Sequence, residues 1–215
     1  MLNSQNMMTV VPDLSSPLVT DLCNMIVPNG SPIYVPCRIE TQAQKNDCFS
    51  VVQNKVESFG GNIQHGWQIW KMKEIMIEAE FHAVWVDSHG DYLDIAPKDI
   101  HVEKILFLPD ANLIYEGRQV NNIRKNITGD QVVQDLIDLC DAKFRFENKG
   151  ERAFQHEIIL NDSEKRFYEK ISDAFSFVGP MIAKGLKGNS PCPCNSRKKY
   201  KVCHGKAIRK IISKI

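Results

Sequence analysis

The feature that most constrains this 215-residue chain lies near its C-terminus. The segment reads Pro191-Cys192-Pro193-Cys194-Asn195-Ser196-Arg197-Lys198-Lys199-Tyr200-Lys201-Val202-Cys203-His204-Gly205, which is C-x-C, eight residues, then C-H. Three thiolates and an imidazole make a complete tetrahedral donor set for a structural Zn²⁺, with no position left open for a substrate. The segment has few apolar residues, so metal binding is expected to drive its folding. One structural Zn²⁺ held by Cys192, Cys194, Cys203 and His204 is the predicted cofactor. The alternative is four unrelated soft side chains in a disordered basic tail.

Charge singles out the same end of the chain. There are 27 Lys+Arg and 26 Asp+Glu, for a formal net charge of +1. Ten of the basic residues fall within 184–215, a stretch without Asp or Glu. Residues 1–183 keep 17 basic against 26 acidic side chains, a net of −9. An acidic body with a basic tail favours an anionic partner for the tail. Residues 1–12 lack the basic and apolar regions of a signal peptide. No uncharged apolar run approaches the ~18 residues that span a bilayer. A cytoplasmic chain without membrane contact is therefore expected, with its seven Cys as thiols, ligands or nucleophiles rather than disulfides.

Residues 190–206 resemble the SEC-C family, a zinc knuckle named from the C-terminus of the preprotein translocase ATPase. Cys192, Cys194, Cys203 and His204 match its ligand positions, and Lys198, Lys199 and Tyr200 match its basic-aromatic loop. Asn195 and Arg197 stand where the family carries glycine. Asn tolerates left-handed backbone, whereas Arg would be strained there. The resemblance implies zinc binding and docking to proteins or ribosomes. It implies no enzyme activity. The secretion machinery and nucleic acid are further candidate partners for the basic tail 184–215, with Tyr200 among the phosphate-neutralising side chains. A short amphipathic helix over 207–215 could dock on the body or on a partner.

At 43% hydrophobic and 25% charged, the remainder is ordinary for a globular protein. Residues 1–30, with Pro12, Pro17, Pro28 and an Asn29-Gly30 turn signal, read as a loose leader. A Pro-bounded extended piece follows at 32–36. Apolar spacing predicts a helix over 47–59, capped by Asn46 or Asp47 and stopped by Gly60-Gly61. Residues 62–70, 75–87, 92–95, 105–108 and 113–115 read as strands, with a turn at Asp87-Ser88-His89-Gly90. Helices follow over 130–148 and 162–187. The second opens with an Asn161/Glu164 capping box and is kinked or interrupted at Gly179-Pro180. The expected fold class is α+β: an N-terminal helix on an antiparallel sheet, C-terminal helices covering it, and a zinc knuckle. The expected domains are a leader (1–30), a body (31–187) and the knuckle with its basic tail (188–215).

The body carries a second constellation. Cys48 opens the predicted helix, where amide groups and the helix dipole favour a thiolate. His82 lies on a strand and Asp94 on the next, across the turn. With Gly90 at a left-handed position, the two face the same side within side-chain reach. Cys, His and Asp then supply a nucleophile, a general base and an orienting carboxylate. The Cys48 backbone N–H is one oxyanion donor, and Gln42 is the candidate second, with Gln44 and Asn46 as alternatives. Trp67, Trp70 and Trp85 could wall a cleft. Cys37 is an alternative nucleophile and His65 a substitute base. Against this stands a purely structural body, in which Cys48 fills space and His82 is satisfied within the core.

Residues 42–97 resemble the papain-like and transglutaminase-like superfamily, whose shared core is a Cys-bearing helix packed on an antiparallel sheet carrying His and then Asp or Asn. Phe81-His82-Ala83-Val84-Trp85-Val86 and Tyr92-Leu93-Asp94-Ile95-Ala96-Pro97 carry the likeness. Departures are Phe49 in place of Trp after the Cys, Ala96-Pro97 in place of Pro-Thr, and Asp47 beside the thiol. The resemblance implies a cysteine hydrolase or acyl transferase acting on a protein or peptide amide, with Cys48, His82, Asp94 and Gln42 as catalytic residues. The rival expectation is a non-catalytic zinc-binding adaptor.

Overall fold

The computed structural model describes residues 9–40, 42–45, 47–155 and 157–215. It is α+β, and the chain forms two compact units. One comprises Thr9–Lys71 and Ile77–Glu116; the other includes Met72–Met76 and Gly117–Ile215. Asn46 and His156, both weighed from the sequence, lie outside the described residues.

The first unit is built on a largely antiparallel sheet. Its strands are β1 (Thr9–Val10), β2 (Ile33–Pro36), β3 (Asn62–Met72), β4 (Met76–Val86), β5 (Tyr92–Leu93) and β6 (Lys104–Pro109). They run in the order β2-β6-β3-β4-β5, with β1 paired to β3. Opposite β2, Val35 pairs with Ile105 and Ile33 with Phe107. Val35, Ile105 and Phe107 pack with Val84 into one layer of core. A second layer forms under helix α2 (Cys48–Phe59), where Cys48, Val51 and Val52 meet Ala83, Leu93 and Ile95. These opposite destinations of Ala83 and Val84 follow from the two-residue period of β4.

The N-terminal stretch differs from the expected leader. Pro17–Ile26 is a helix, α1, with Val19, Leu22 and Cys23 buried. Pro17 occupies its first turn, where the missing N–H has no intrahelical partner to lose. Residues 113–115 form no strand, and Ile114 is solvent-exposed. A short strand, β7 (Ile123–Asn126), has little apolar pattern to announce it.

In the second unit, helices α3 (Gln131–Glu147) and α4 (Asp162–Ala183) pack together. Asp130 caps α3 by accepting from the Val132 N–H at 2.9 Å. Asn161 and Glu164 form the expected capping box on α4. Pro180 lies inside α4, which continues to Ala183 without the expected interruption. Only one turn remains beyond the proline, so the lost hydrogen bond falls where the helix is already ending.

Residues 188–215 share this core. Helix α5 (His204–Ile212) buries Ile208, and Tyr200 is fully buried with Ile208 among Val132, Leu136, Ala174 and Met181. This corrects the expectation that metal alone would hold the segment and that Tyr200 could serve a partner. The ring sits so close that a Cβ on Gly205 would meet its Cε1 at 2.8 Å. Asp135 on α3 is buried and accepts from Tyr200 Oη at 2.8 Å, Arg209 Nη1 at 2.9 Å and Gln131 Nε2 at 2.9 Å. A buried carboxylate needs such a full donor set. Arg209→Met should therefore cost about 2 kcal/mol, below the range for a fully buried pair because the guanidinium is partly exposed. Tyr200→Phe should cost about 1 kcal/mol. Denaturant midpoints of the two variants, compared at equal m-value, check both figures.

Candidate functional site

Helix α2 presents Cys48 at its first position, after Asp47. The Asp47 carboxylate accepts from Ser50 Oγ at 2.8 Å rather than from the helix amides. The turn joining β4 to β5 closes as the sequence requires. Gly90 adopts φ 86°, and Asp87 Oδ1 accepts from the N–H groups of His89 and Asp91. Trp85 pairs with Leu93 across this hairpin, so Asp94 falls diagonally beside His82. His82 Nε2 and Asp94 Oδ1 are 3.1 Å apart. The Cys48 thiol is within hydrogen-bonding reach of the His82 imidazole.

Asp94 has no solvent exposure. Its Oδ2 accepts from Lys98 Nζ at 2.7 Å and from the Cys37 thiol at 3.5 Å, and its Oδ1 also accepts from the Ala96 N–H at 3.3 Å. An ionised carboxylate only accepts, so the proton between His82 and Asp94 sits on Nε2.

The electrostatics follow from these contacts. Burial alone would push the Asp94 carboxyl up, but the hydrogen bond and charge of His82, with Lys98, hold it at about 2. Burial alone would pull the His82 imidazole down. The negative charge of Cys48 and the hydrogen bonds to Asp94 and Cys48 outweigh that and lift it to about 9. Cys37, the alternative nucleophile, is pushed up to about 12 by burial and by the Asp94 charge, so it is held as a neutral thiol.

Cys48 and His82 line one cleft of about 330 Å³, together with Gln68, Trp70, Glu80 and Lys98. Cys48 is 8% exposed and reaches the cleft rather than being sealed off. Gln42 and Gln44, the expected oxyanion donors, instead line a separate depression beside Asp47, Ser50 and Lys55. Of the three tryptophans, Trp70 walls the cleft. Trp67 packs on Phe81, and Trp85 Nε1 donates to the Gly60 carbonyl at 2.9 Å. His65 packs between Phe49 and Phe81, and burial lowers its pKa. Lys98 and Gln68 were not anticipated. Lys98 pairs with Asp94 four residues before it, a spacing that signals a pair on a helix, and this stretch is not helical. Gln68 did carry a signal, as a polar residue inside the apolar run Trp67-Gln68-Ile69-Trp70.

In the second unit, Cys192, Cys194, Cys203 and His204 converge, with all donor atoms within 4.8 Å of one another. Cys192 Sγ and His204 Nδ1 are 3.2 Å apart, and Cys194 Sγ and Cys203 Sγ 3.5 Å. A tetrahedron with Zn–S bonds near 2.3 Å places sulfurs about 3.8 Å apart, so the set fits one metal ion. Asn195 and Arg197 both adopt left-handed backbone, φ 59° and 60°. These are the two positions where the sequence lacks the family's glycines. Phe177 stacks on the His204 ring at 4.0 Å and fixes its plane. Hydrogen bonds from Ser196 hold the Cys194 thiol down at about 6, which favours the thiolate a metal requires.

Residues 189–206 match the SEC-C motif. The protein translocase subunit SecA of Ralstonia nicotianae is 29% identical over 114 residues, covering 42% of this chain and 12% of that protein. The SecA subunits of Acidovorax sp. (strain JS42) and Acidovorax ebreus are each 37% identical over 75 residues, covering 34% of this chain and 8% of those proteins. The chain thus spans about a tenth of the length of these curated relatives. No solved structure matches. No helix among the described residues is long and apolar enough to cross a membrane.

The two shifted groups of the cleft set opposite pH limits. His82, raised from 6.5 to about 9, contributes stability that is fully present below pH 6.5 and is lost as pH rises through 9. Asp94, lowered from 3.8 to about 2, contributes stability present above pH 3.8 and lost as pH falls through 2. Both contribute between about pH 4 and 6.5. The Cys48 charge is one of the causes that raise His82, so Cys48→Ala should flatten the alkaline loss. Melting temperatures of parent and variant at pH 5.5 and pH 9 are the check.

Proposed function

We propose that the first unit is a cysteine-dependent amide hydrolase or acyl transferase of papain-like or transglutaminase-like type, and that the Cys/His cluster holds one structural Zn²⁺. One observation carries the enzymatic reading: His82 lies between the Cys48 thiol and the Asp94 carboxylate, and thiol and imidazole open into the same cleft.

In this reading Cys48 Sγ gives its proton to His82 Nδ1 and attacks the amide carbonyl. Asp94 fixes the tautomer through Nε2 and stabilises the imidazolium. Lys98 holds the carboxylate in place through its second oxygen. The departing amine takes the proton from His82 and leaves a thioester on Cys48. Water or a second amine then releases the acyl group, and which of them arrives separates hydrolysis and deamidation from cross-linking. Trp70, Phe49 and Phe81 offer apolar walls for a peptide substrate. Iodoacetamide should alkylate Cys48 at pH 6–7, and His82→Ala should slow this by roughly tenfold or more. Peptide mass spectrometry isolates Cys48 from the other thiols. Slow labelling unchanged in the variant would remove the triad.

A targeting role for the basic segment rests on a separate observation. Arg197, Lys198, Lys199 and Lys201 are exposed around the metal cluster, while Tyr200 and Arg209 turn inward. Together with the likeness to translocase subunits, this favours docking on an anionic surface of the ribosome or the protein translocase. Because residues 188–215 share the core of α3 and α4, the informative variant changes surface charge and leaves the segment in place. Purified protein should carry about one Zn per chain, lost in Cys194→Ser. Replacement of Lys198, Lys199 and Lys201 by Glu should keep the zinc and abolish salt-sensitive co-sedimentation with ribosomes or translocase. Zinc retained in Cys194→Ser, or co-sedimentation retained in the charge variant, would contradict the respective assignment.

A further inference from the structure

In the buried middle of strand β3, Trp67-Gln68-Ile69-Trp70, Gln68 is the polar exception, at 2% exposure. A buried carboxamide ordinarily finds partners for its N–H groups. Among the described residues, Gln68 Nε2 is the one buried side-chain nitrogen or oxygen with no hydrogen-bond partner. The same side chain lines the cleft that contains Cys48 and His82. The charged side chains of that cleft are engaged. His82 and Lys98 are on Asp94, Glu80 accepts from Trp70 Nε1 at 3.1 Å, and Asp99 accepts from Lys45 at 3.1 Å. A donor kept dry and unpaired beside a thiol–imidazole pair is a donor held ready for something that enters the cleft.

We propose that Gln68 Nε2 receives the carbonyl oxygen of an acyl group bound at Cys48 and that the cleft therefore selects a neutral amide or ester carbonyl. This rests on the Cys48–His82 reading above and adds to it the residue that reads the substrate. The cations lining the cleft, Lys98 and the raised imidazole of His82, are both engaged by Asp94, at 2.7 and 3.1 Å, so a substrate carboxylate finds no free counter-charge. A carbonyl oxygen needs only a donor. When the sulfur–carbon bond forms, the carbonyl π pair moves to oxygen. That oxyanion accepts from Gln68 Nε2 and from the Cys48 backbone N–H at the start of α2. When the carbonyl re-forms, the bond to the leaving nitrogen breaks, and the nitrogen departs with the proton held on His82. Gln68 thus takes the place that the sequence assigned to Gln42, from a strand instead of from the loop before α2.

The test compares two reagents at Cys48. p-Nitrophenyl acetate acylates the thiol through an oxyanion, whereas iodoacetamide alkylates it at a saturated carbon with none. Gln68→Met keeps the length of the side chain and removes the donor. Acetylation of Cys48, read by nitrophenolate release and peptide mass spectrometry, should fall on the order of 100-fold. Alkylation should stay within about twofold of the parent, since no oxyanion forms in that reaction. Gln68→Glu, which offers no donor when ionised, should lose acetylation as well. Parallel changes in the two reactions would overturn the assignment. Rapid, His82-dependent alkylation with acetylation indifferent to Gln68 removes Gln68 alone and leaves the Cys–His pair standing. Neither reagent reacting faster in the parent than in His82→Ala removes both.

Discussion

A carboxylate stripped of water stays ionised only if donors replace the solvent on every side, and Asp94 collects them from three directions. His82 comes from β4, Lys98 and the Ala96 amide from the chain just beyond, and Cys37 from the end of β2. The backbone reinforces the same junction, because the Asp94 N–H donates to the Pro36 carbonyl and the Arg38 N–H to the Asp94 carbonyl. One buried charge thus ties the sheet edge to the loop that lines the cleft and sets the tautomer of the histidine. The cleft's chemistry and the local fold depend on the same oxygen atoms. Replacing Asp94 would therefore disturb both.

The second unit repeats the physical idea with other residues. Asp135 is as dry as Asp94 and is also met by three side chains, but two of them, Tyr200 and Arg209, arrive from the C-terminal segment, with Gln131 from its own helix. Tyr200 and Arg209 belong to the stretch that would be taken, from its charge, for a solvated extension. The aromatic residue of the SEC-C loop is spent on the interior, and the lysines beside it remain outside. The apolar mass that the metal loop lacks is supplied by α3 and α4.

What could be read from the sequence was what is local. Cys192, Cys194, Cys203 and His204 lie within thirteen residues, so the loop itself brings them together. His82 and Asp94 were legible for the same reason, since one tight turn separates them and Gly90 fixes its geometry. Helices α2, α3 and α4 announced themselves by apolar period and caps. Helix α1 was obscured because Pro17 reads as a breaker unless its place in the first turn is known. Residues 113–115 have strand composition, but the structure gives them no partner strand, and composition cannot supply one. Gln68 and the inward turn of Tyr200 depend on elements far apart in the chain, and no spacing rule reports them; Lys98 reaches Asp94 from four residues on, along a stretch that is not helical. Gln42 was placed by its distance from Cys48 along the sequence, whereas the cleft is defined by the direction in which the sheet faces.

His204 is at once a donor atom for the metal cluster and the first residue of α5, and four residues on, Ile208 enters the core of α3 and α4. Ligand binding and folding are then linked functions. An ion bound a thousandfold above its dissociation constant adds about 4 kcal/mol to the unit that holds it. Any strain placed on α5 must weaken the ion by the same free energy. The helix accordingly behaves as a thermodynamic lever. Whatever pulls on the outer face of the C-terminal segment alters metal retention, and the local concentration of the ion sets how firmly the last helix of the chain is seated.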